Sequence, residues 1–289
     1  MQRVQRVHQR MDWLCNRTRF PLRQLIAKRL ARRLLPPLGG PIRCPTIYGF
    51  DLQVRRGDGE NYYYKGFYEP GTIHVLERCL RPGDVFVDGG ASVGLMTLYA
   101  ASRVGPSGRV LAFEPHPDRY ADLVAGIRFG DWGNVTALQL GIGDEPTSLA
   151  LYESVSPSMV HQSGAVVGQV DVVRLDDVLA REGISEVRML KLDVEGFEGR
   201  ALEGARGLLT GAEPPIVCFE YGVHTDRLDP VEVLRETGSG YEFYQLRRTK
   251  TYASDLVKVD PKRLRAHDNI FAITPSQASE LAGDLICRS

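Results

Sequence analysis

The stretch that most constrains how this chain can fold is residues 83–94, Gly-Asp-Val-Phe-Val-Asp-Gly-Gly-Ala-Ser-Val-Gly. Asp84 and Asp88 bracket a short apolar run, Val85-Phe86-Val87, which suits a parallel strand buried on both faces. Gly89 and Gly90 then permit a sharp turn and a close approach of backbone to a ligand. Residues 93–101 have the length and residue types of a helix packed on that sheet. Strand, glycine turn and helix in this order open a doubly wound α/β fold of the nucleotide-binding kind.

A second signal follows at a fitting distance. Arg109-Val-Leu-Ala-Phe113 reads as the next strand and Glu114 ends it. An acid at that tip can accept hydrogen bonds from both ribose hydroxyls of an adenosine. A dinucleotide site wants Gly-x-Gly-x-x-Gly, because its backbone must touch a pyrophosphate. Here Ala91 stands at the central glycine, and Asp88 directly precedes the loop, where its carboxylate would repel phosphate. A ligand with adenosine, no phosphate, and an ammonium group on an amino acid tail fits better. S-adenosylmethionine is such a ligand. The rival enzyme reading, a nicotinamide-dependent oxidoreductase, is disfavoured by the same two residues.

With 289 residues, 43% of them hydrophobic, the chain can bury a large core as one elaborated domain or a domain with an appendage. Formal charge balances at 36 basic and 36 acidic residues, but residues 1–43 hold eleven Lys or Arg and a single acid, Asp12. The remainder therefore holds 25 basic and 35 acidic residues. A basic, helical-looking arm (residues 1–45) precedes an acidic body, and an acidic body argues against nucleic acid as substrate. The arm either packs on the body as a solvated helical appendage or meets an acidic membrane surface or acidic partner. Cys15, Cys44, Cys79, Cys218 and Cys287 are scattered and odd in number, which fits free thiols in a reducing cytoplasm. No secretory signal or apolar run of membrane-spanning length stands out, so the expected location is cytoplasmic, with peripheral membrane contact through the arm.

Residues 46–80 form a small extension. Residues 46–54 alternate and read as one strand, and Gly57-Asp58-Gly59 as a turn. Tyr62, Tyr63, Tyr64, Phe67 and Tyr68 follow, either packing the arm on the core or lining the mouth of the site. Glu69-Pro70-Gly71 opens a helix to residue 80, and Glu69 joins the candidate cofactor contacts. Beyond Glu114, Pro115-His116-Pro117 starts a helix to about residue 129. Residues 135–140 read as the third strand, and Gly141-Ile142-Gly143-Asp144 ends it, a place for Gly143 and Asp144 to meet an adenine ring. Two further strands flank a Ser- and Gly-rich segment, residues 153–168, that contains His161 and reads as a lid or a mobile hairpin tip. Residues 188–192 give the fourth core strand, with one helix from there to about residue 209. Residues 215–219 give the fifth, and 241–246 and 270–273 two closing strands.

Ligands of such a sheet bind beyond the carboxyl ends of its strands. Asp88, Glu114, Asp193 and Glu220 all fall at such ends. Methyl transfer to a hydroxyl needs the acceptor aligned with the carbon–sulfur bond, and a base or a metal to help remove the proton. Asp193 and Glu220 either bracket an acceptor hydroxyl or hold Mg²⁺ through hard oxygen ligands. His224 or His161 then takes the proton. Glu198, near a helix start, is explained by the helix dipole.

Three segments together resemble the FkbM-type S-adenosylmethionine methyltransferases: Val87-Asp-Gly-Gly-Ala-Ser-Val-Gly94, Ala112-Phe-Glu-Pro-His-Pro117 and Leu190-Lys-Leu-Asp-Val-Glu-Gly-Phe-Glu198. The resemblance implies a class I methyltransferase fold over residues 81–289, a mostly parallel seven-stranded sheet whose last strand is antiparallel. It also implies O-methylation of a sugar, glycan or polyketide-like natural product. Carried over, Asp88, Gly89, Gly90 and Gly94 hold the cofactor tail and Glu114 the ribose, while Asp193 and Glu195 lie near the transferred methyl. Ser92 stands where the family usually has Asn, which weakens that contact or routes it through water. The alternative is a binding protein that keeps the fold and has lost catalysis.

Overall fold

The computed structural model describes residues 2–16, 23–56, 59–152, 166–222, 228–247, 255–264 and 268–286. The arm is two helices, α1 (Gln2–Asn16) and α2 (Arg23–Leu34). Next come the antiparallel pair β1 (Ile42–Pro45) and β2 (Asp51–Val54), then α3 (Gly59–Lys65) and α4 (Pro70–Cys79). The strand expected over residues 46–54 is therefore shorter. Only its last four residues are extended, and Ile42–Pro45 supplies the partner strand. Gly49 has a φ of 91°, and Thr46 both donates its amide to Phe50 O (2.9 Å) and bonds it through Oγ1 (2.7 Å), so residues 46–50 form the turn between them.

The core then alternates. β3 (Val85–Gly89), α5 (Leu95–Val104), β4 (Arg109–Phe113), α6 (Pro117–Gly130) and β5 (Val135–Leu138) follow the sequence reading closely. β6 (Gly141–Ile142), β7 (Thr147–Tyr152) and β8 (Val166–Val173) form a separate three-stranded sheet, followed by α7 (Leu175–Arg181) and β9 (Met189–Leu192). The expected turn at residues 141–144 thus begins as a short strand, since Gly141 and Ile142 pair with Val172 and Val173. The helix expected to run to residue 209 is two, α8 (Glu198–Glu203) and α9 (Arg206–Leu209). They part at Gly204, where an added Cβ would lie 1.8 Å from Gly143 O. The chain closes with β10 (Ile216–Tyr221), α10 (Pro230–Glu236), β11 (Glu242–Leu246), β12 (Leu256–Lys258), β13 (Asp268–Ile273) and α11 (Pro275–Glu280).

The main sheet runs β12-β11-β13-β10-β9-β3-β4-β5. The strands from β10 to β5 are parallel, and β13 inserts antiparallel between β10 and β11. This is the class I methyltransferase arrangement with one addition. The seven expected strands are joined by an eighth, β12, antiparallel at the β11 edge. The order reverses between β3 and β9, so a crevice opens beyond Gly89 and Leu192, where such folds bind ligands.

Two apolar clusters sandwich the sheet. One gathers Val87, Leu190, Phe219, Leu202 and Leu234; the other gathers Phe86, Leu76, Val110, Met189 and Phe271. A third joins the arm to the extension and to α5 through Val7, Met11, Ala31, Leu52, Tyr63, Tyr64, Phe67 and Leu98. Gln53 and Arg55 also reach across to the buried Asp122 of α6, at 2.7 and 2.6 Å. Arg55 neutralises that carboxylate, Gln53 adds a hydrogen bond, and together they seat β2 against the core. Cys44, Cys79 and Cys218 are buried free thiols. No described helix is long and apolar enough to cross a membrane.

Candidate active site

The crevice holds two hollows. The larger, about 470 Å³, is lined by Phe113, Glu114, Pro115, Arg119, Leu140, Ile142, Leu151 and Glu195, with Gly90 and Asp193. The smaller, about 320 Å³, has Tyr62, Tyr68, Glu69, Asp88, Ser92, Met96 and Lys191 in its wall, again with Gly90 and Asp193. Gly90 and Asp193 are the residues common to both linings. Gly90 has a φ of 82°, and a Cβ there would stand 1.9 Å from the backbone oxygen of Asp193. Only glycine lets the β3 turn and the β9 turn approach this closely.

Glu114 faces the larger hollow and is 3% exposed. Its Oε2 accepts from Ser92 N (2.7 Å) and its Oε1 from His116 N (2.9 Å). Burial pushes its carboxyl up to about 7, against the pull of Arg119 and the two amides. Each oxygen keeps a second lone pair for a ligand hydroxyl. Around it, Phe113, Leu140, Ile142 and Leu151 make an apolar slot suited to a flat ring.

Asp88 is fully buried beneath the smaller hollow. Its Oδ2 accepts from Thr97 Oγ1 at 2.6 Å, while Oδ1 has no hydrogen-bond partner. Lys191 approaches Oδ1 at 4.0 Å and donates to Asp193 Oδ2 at 3.1 Å. Burial alone would discharge this lysine, but Asp193, Asp88 and Glu69 hold its ammonium well above the ordinary lysine range. Glu69, in a left-handed conformation (φ 42°), accepts from Thr72 Oγ1 (3.2 Å) and from Asn269 Nδ2 (2.9 Å). Asn269 is the register partner of Glu220 on β10. The Tyr68 phenol is pushed up to about 12 by burial and by Glu69, Asp193 and Glu220, which places these four groups in one neighbourhood.

The structure thus brings Glu69, Asp88, Gly90, Ser92, Glu114, Pro115, Asp193 and Glu195 to the two hollows. Other sequence candidates stand elsewhere. Gly89 packs on Leu192, and Gly94 on Leu123. Gly143 lies against Phe197 and Gly204, and Arg200 binds both oxygens of Asp144 at 3.1 Å. Gly141 and Ile142 line the larger hollow in their place. Glu220 is near Tyr68 but in neither lining. His224 and His161 lie outside the described residues, as does most of the 153–168 segment. The aromatic run divides between its two readings: Tyr62 and Tyr68 line the smaller hollow with ring centroids 5.5 Å apart, while Tyr63, Tyr64 and Phe67 pack the arm.

Glu198 does more than complement a helix dipole. It is 1% exposed, and its Oε1 accepts from Val194 N (3.0 Å) and Gly196 N (3.3 Å). It thereby fixes the turn in which Glu195 adopts a φ of 55°. Burial pushes its carboxyl up to about 7. Sequence reasoning assigned no role to Lys191 or Thr97. A lysine inside the apolar strand Met189-Leu-Lys-Leu192 was the available signal, since a buried ammonium demands carboxylate partners.

The residues present fit S-adenosylmethionine: a buried carboxylate oxygen at Asp88 that accepts no hydrogen bond, a ring slot beside Glu114, and a glycine wall between them. They do not fit Mg²⁺. Among the described residues no three ligating side chains converge, and Lys191 already holds Asp193 Oδ2.

Residues 88–248, more than half of the chain, match the methyltransferase FkbM domain. The chain belongs to the FkbM methyltransferase family. It is 33% identical over 150 residues to Methyltransferase 1 of Beauveria bassiana, covering 43% of this chain and 59% of that one. To the 31-O-demethyl-FK506 methyltransferase FkbM of Streptomyces tacrolimicus it is 32% identical over 188 residues, 52% of this chain and 70% of that one. A solved structure, Methyltransferase FkbM from Methylobacillus flagellatus, superposes with a TM-score of 0.47 at 17% identity, over 91% of this chain and 61% of that one. This FkbM-family chain therefore spans about six-tenths of the Beauveria relative and of that solved chain.

Proposed function

We propose that this FkbM-family chain methylates a hydroxyl oxygen of a small molecule, a sugar, glycan or polyketide-like natural product, using S-adenosylmethionine. The observation that carries the reading is the wall shared by the two hollows, Gly90 and Asp193, with Glu114 on one side and Asp88 on the other. Adenosine fits the slot beside Glu114, whose free lone pairs accept the ribose hydroxyls. The amino acid tail fits the smaller hollow, where Asp88 Oδ1 is available to an ammonium group. The cofactor supplies an electrophilic methyl group and a neutral thioether leaving group.

Asp193 then stands where the two halves meet. It is the group best placed to accept the acceptor's proton as the new oxygen–carbon bond forms and the carbon–sulfur pair stays on sulfur. Lys191 fixes one Asp193 oxygen and leaves the other for that proton. Glu195 lines the same wall from a turn held by Glu198. The Streptomyces relative is named for a 31-O position, which supports oxygen as the nucleophile here. An acceptor approaching a wall that carries Asp193 and Glu195 suits a neutral hydroxylated molecule better than a polyanion.

Calorimetric titration with S-adenosylmethionine and with NAD tests the first half: the former binds and the latter does not. For the second half, Asp193→Asn retains cofactor binding and loses S-adenosylhomocysteine production with hydroxylated acceptors. Full turnover by Asp193→Asn overturns the role of Asp193. Cofactor binding by the wild-type chain without turnover on any sugar or polyketide alcohol overturns the reaction.

A further inference from the structure

We propose that the N-terminal helical arm is an interfacial docking surface for an anionic lipid bilayer. Its charge is one-sided, with eleven Lys or Arg against Asp12 over residues 1–43. Packing decides how that charge is displayed. α1 turns Val7, His8 and Met11 inward, where all three are buried. His8 bonds Pro45 O (2.9 Å) and Tyr63 O (2.6 Å), and Arg3 donates to Leu34 O (2.7 Å). α2 buries Ala31 against the same cluster, and Arg32 lies 5.6 Å over the Tyr64 ring. The arm is thus seated on the body with a fixed rotation.

Outward, beside the exposed Gln2, Gln5 and Gln9, the described side chains are basic and apolar. Arg3, Arg6, Arg10 and Trp13 are spaced three, four and three residues apart, so they form a single stripe along α1, and all four are exposed. On α2, Arg29, Leu30, Arg32 and Arg33 are exposed. Trp13 is 61% exposed and Leu30 40%, two of the four exposed large apolar side chains among the described residues. Arginines around an exposed indole and a leucine match the lipid–water interface, with guanidinium groups on headgroup phosphates and the ring at headgroup depth.

Two other polyanions compete for such a surface. A double-stranded nucleic acid would satisfy the arginines but leave Trp13 and Leu30 without a buried environment, and any nucleic acid would run along a body with ten more acids than bases. The acidic body of a second copy offers charge but no apolar layer. A bilayer serves both the charge and the exposed apolar groups, and it touches only the arm. The arm's inward face rests on α3, whose Tyr62 lines the smaller hollow.

The test uses the full chain in vesicle flotation, with phosphatidylcholine vesicles and with vesicles containing about one-third phosphatidylserine. Binding is expected to the anionic vesicles, weaker by an order of magnitude or more as salt rises from 50 to 300 mM. Arg6→Gln with Arg10→Gln and Arg33→Gln is expected to weaken it about a hundredfold, at about fivefold per charge, with S-adenosylmethionine titration unchanged as the control for folding. Trp13→Ala weakens it as well, and a blue shift of Trp fluorescence on vesicle addition disappears in Trp13→Phe. Equal affinity for neutral and anionic vesicles, or no vesicle binding, overturns the proposal. So does salt-sensitive binding of an RNA oligomer or self-association of the chain that the arginine substitutions abolish while vesicle binding is missing.

Discussion

The Lys191 ammonium donates to Asp193 Oδ2 at 3.1 Å from the middle of a strand otherwise made of Met189, Leu190 and Leu192. It is 4% exposed and faces Asp88 at 4.0 Å. One buried cation therefore serves the acid beneath the smaller hollow and the acid in the wall shared by both. Lys191→Met strands the buried Asp88 carboxylate and takes the cation from half-buried Asp193, a loss of about 3–5 kcal/mol by the behaviour of broken buried ion pairs. Urea unfolding measures it. Adding Asp88→Asn to Lys191→Met recovers part of the loss, because one stranded charge is gone. Independent, additive effects would mean that the lysine does not hold Asp88.

Gly90→Ala meets two obstacles. The left-handed backbone costs an alanine about 1–2 kcal/mol, and the new Cβ lies 1.9 Å from Asp193 O. The β3 and β9 turns must separate, and the wall between the hollows moves. S-adenosylmethionine affinity is expected to fall at least about tenfold, the effect of about 1.4 kcal/mol, and Tm by several degrees. Titration and a melting curve on one preparation read both.

Glu114 links cofactor affinity to pH. Its carboxyl ordinarily ionises near 4.5 and is raised to about 7 in the folded chain. Between these values the folded state holds the proton that the unfolded state has released. Stability therefore declines as pH rises from about 4.5 to 7 and levels off above. Ribose hydroxyls favour the ionised form, so S-adenosylmethionine binding tightens as pH rises through about 7 and releases a proton. Titrations at pH 6, 7 and 8 in buffers of different ionisation enthalpy check this. Glu114→Gln flattens the dependence.

Glu198 is buried with a carboxyl also raised to about 7, yet it reaches neither hollow. Its work is to hold Val194 N and Gly196 N. Glu198→Ala leaves both part-buried amides without this acceptor and is expected to cost about 1–3 kcal/mol for each. Glu198→Gln keeps an acceptor and costs less. Both are expected to lower kcat more than they raise the KM for S-adenosylmethionine, since the turn carries Glu195 and the groups that grip the cofactor lie elsewhere.

The donor set around Asp193 makes a metal readout direct. With Lys191 on Oδ2 and no converging trio of ligating side chains among the described residues, EDTA is expected to leave initial rates unchanged within about twofold. Added Mg²⁺ is expected not to tighten cofactor binding.

Residues 83–94 and Glu114 were legible because each carries its own local reason. A short apolar strand, a glycine turn and an acid at a strand tip are set by a few neighbouring residues, and β3, β4 and α6 came out close to their expected bounds. Errors fell where distant groups decide. Residues 46–50 turned because of Gly49 and a pairing with Ile42–Pro45. The helix after Asp193 divides at Gly204, where Gly143 O leaves no room for a side chain. Gly143 and Asp144 looked like ring contacts, but Arg200, more than fifty residues away, holds Asp144. No local pattern could have foretold that partner.

By itself the sequence determined the fold class, the glycine turn and the family, because backbone conformation, burial periodicity and motif spacing are encoded within short stretches. Tertiary structure alone decided that Asp193 joins two hollows, that Lys191 lies between Asp88 and Asp193, and that Glu198 sets a turn while Tyr62 and Tyr68 part from Tyr63 and Tyr64. Those roles depend on desolvation and on charges only a few ångströms apart in space, which exist only once β3, β9, β10 and β13 lie side by side in the sheet.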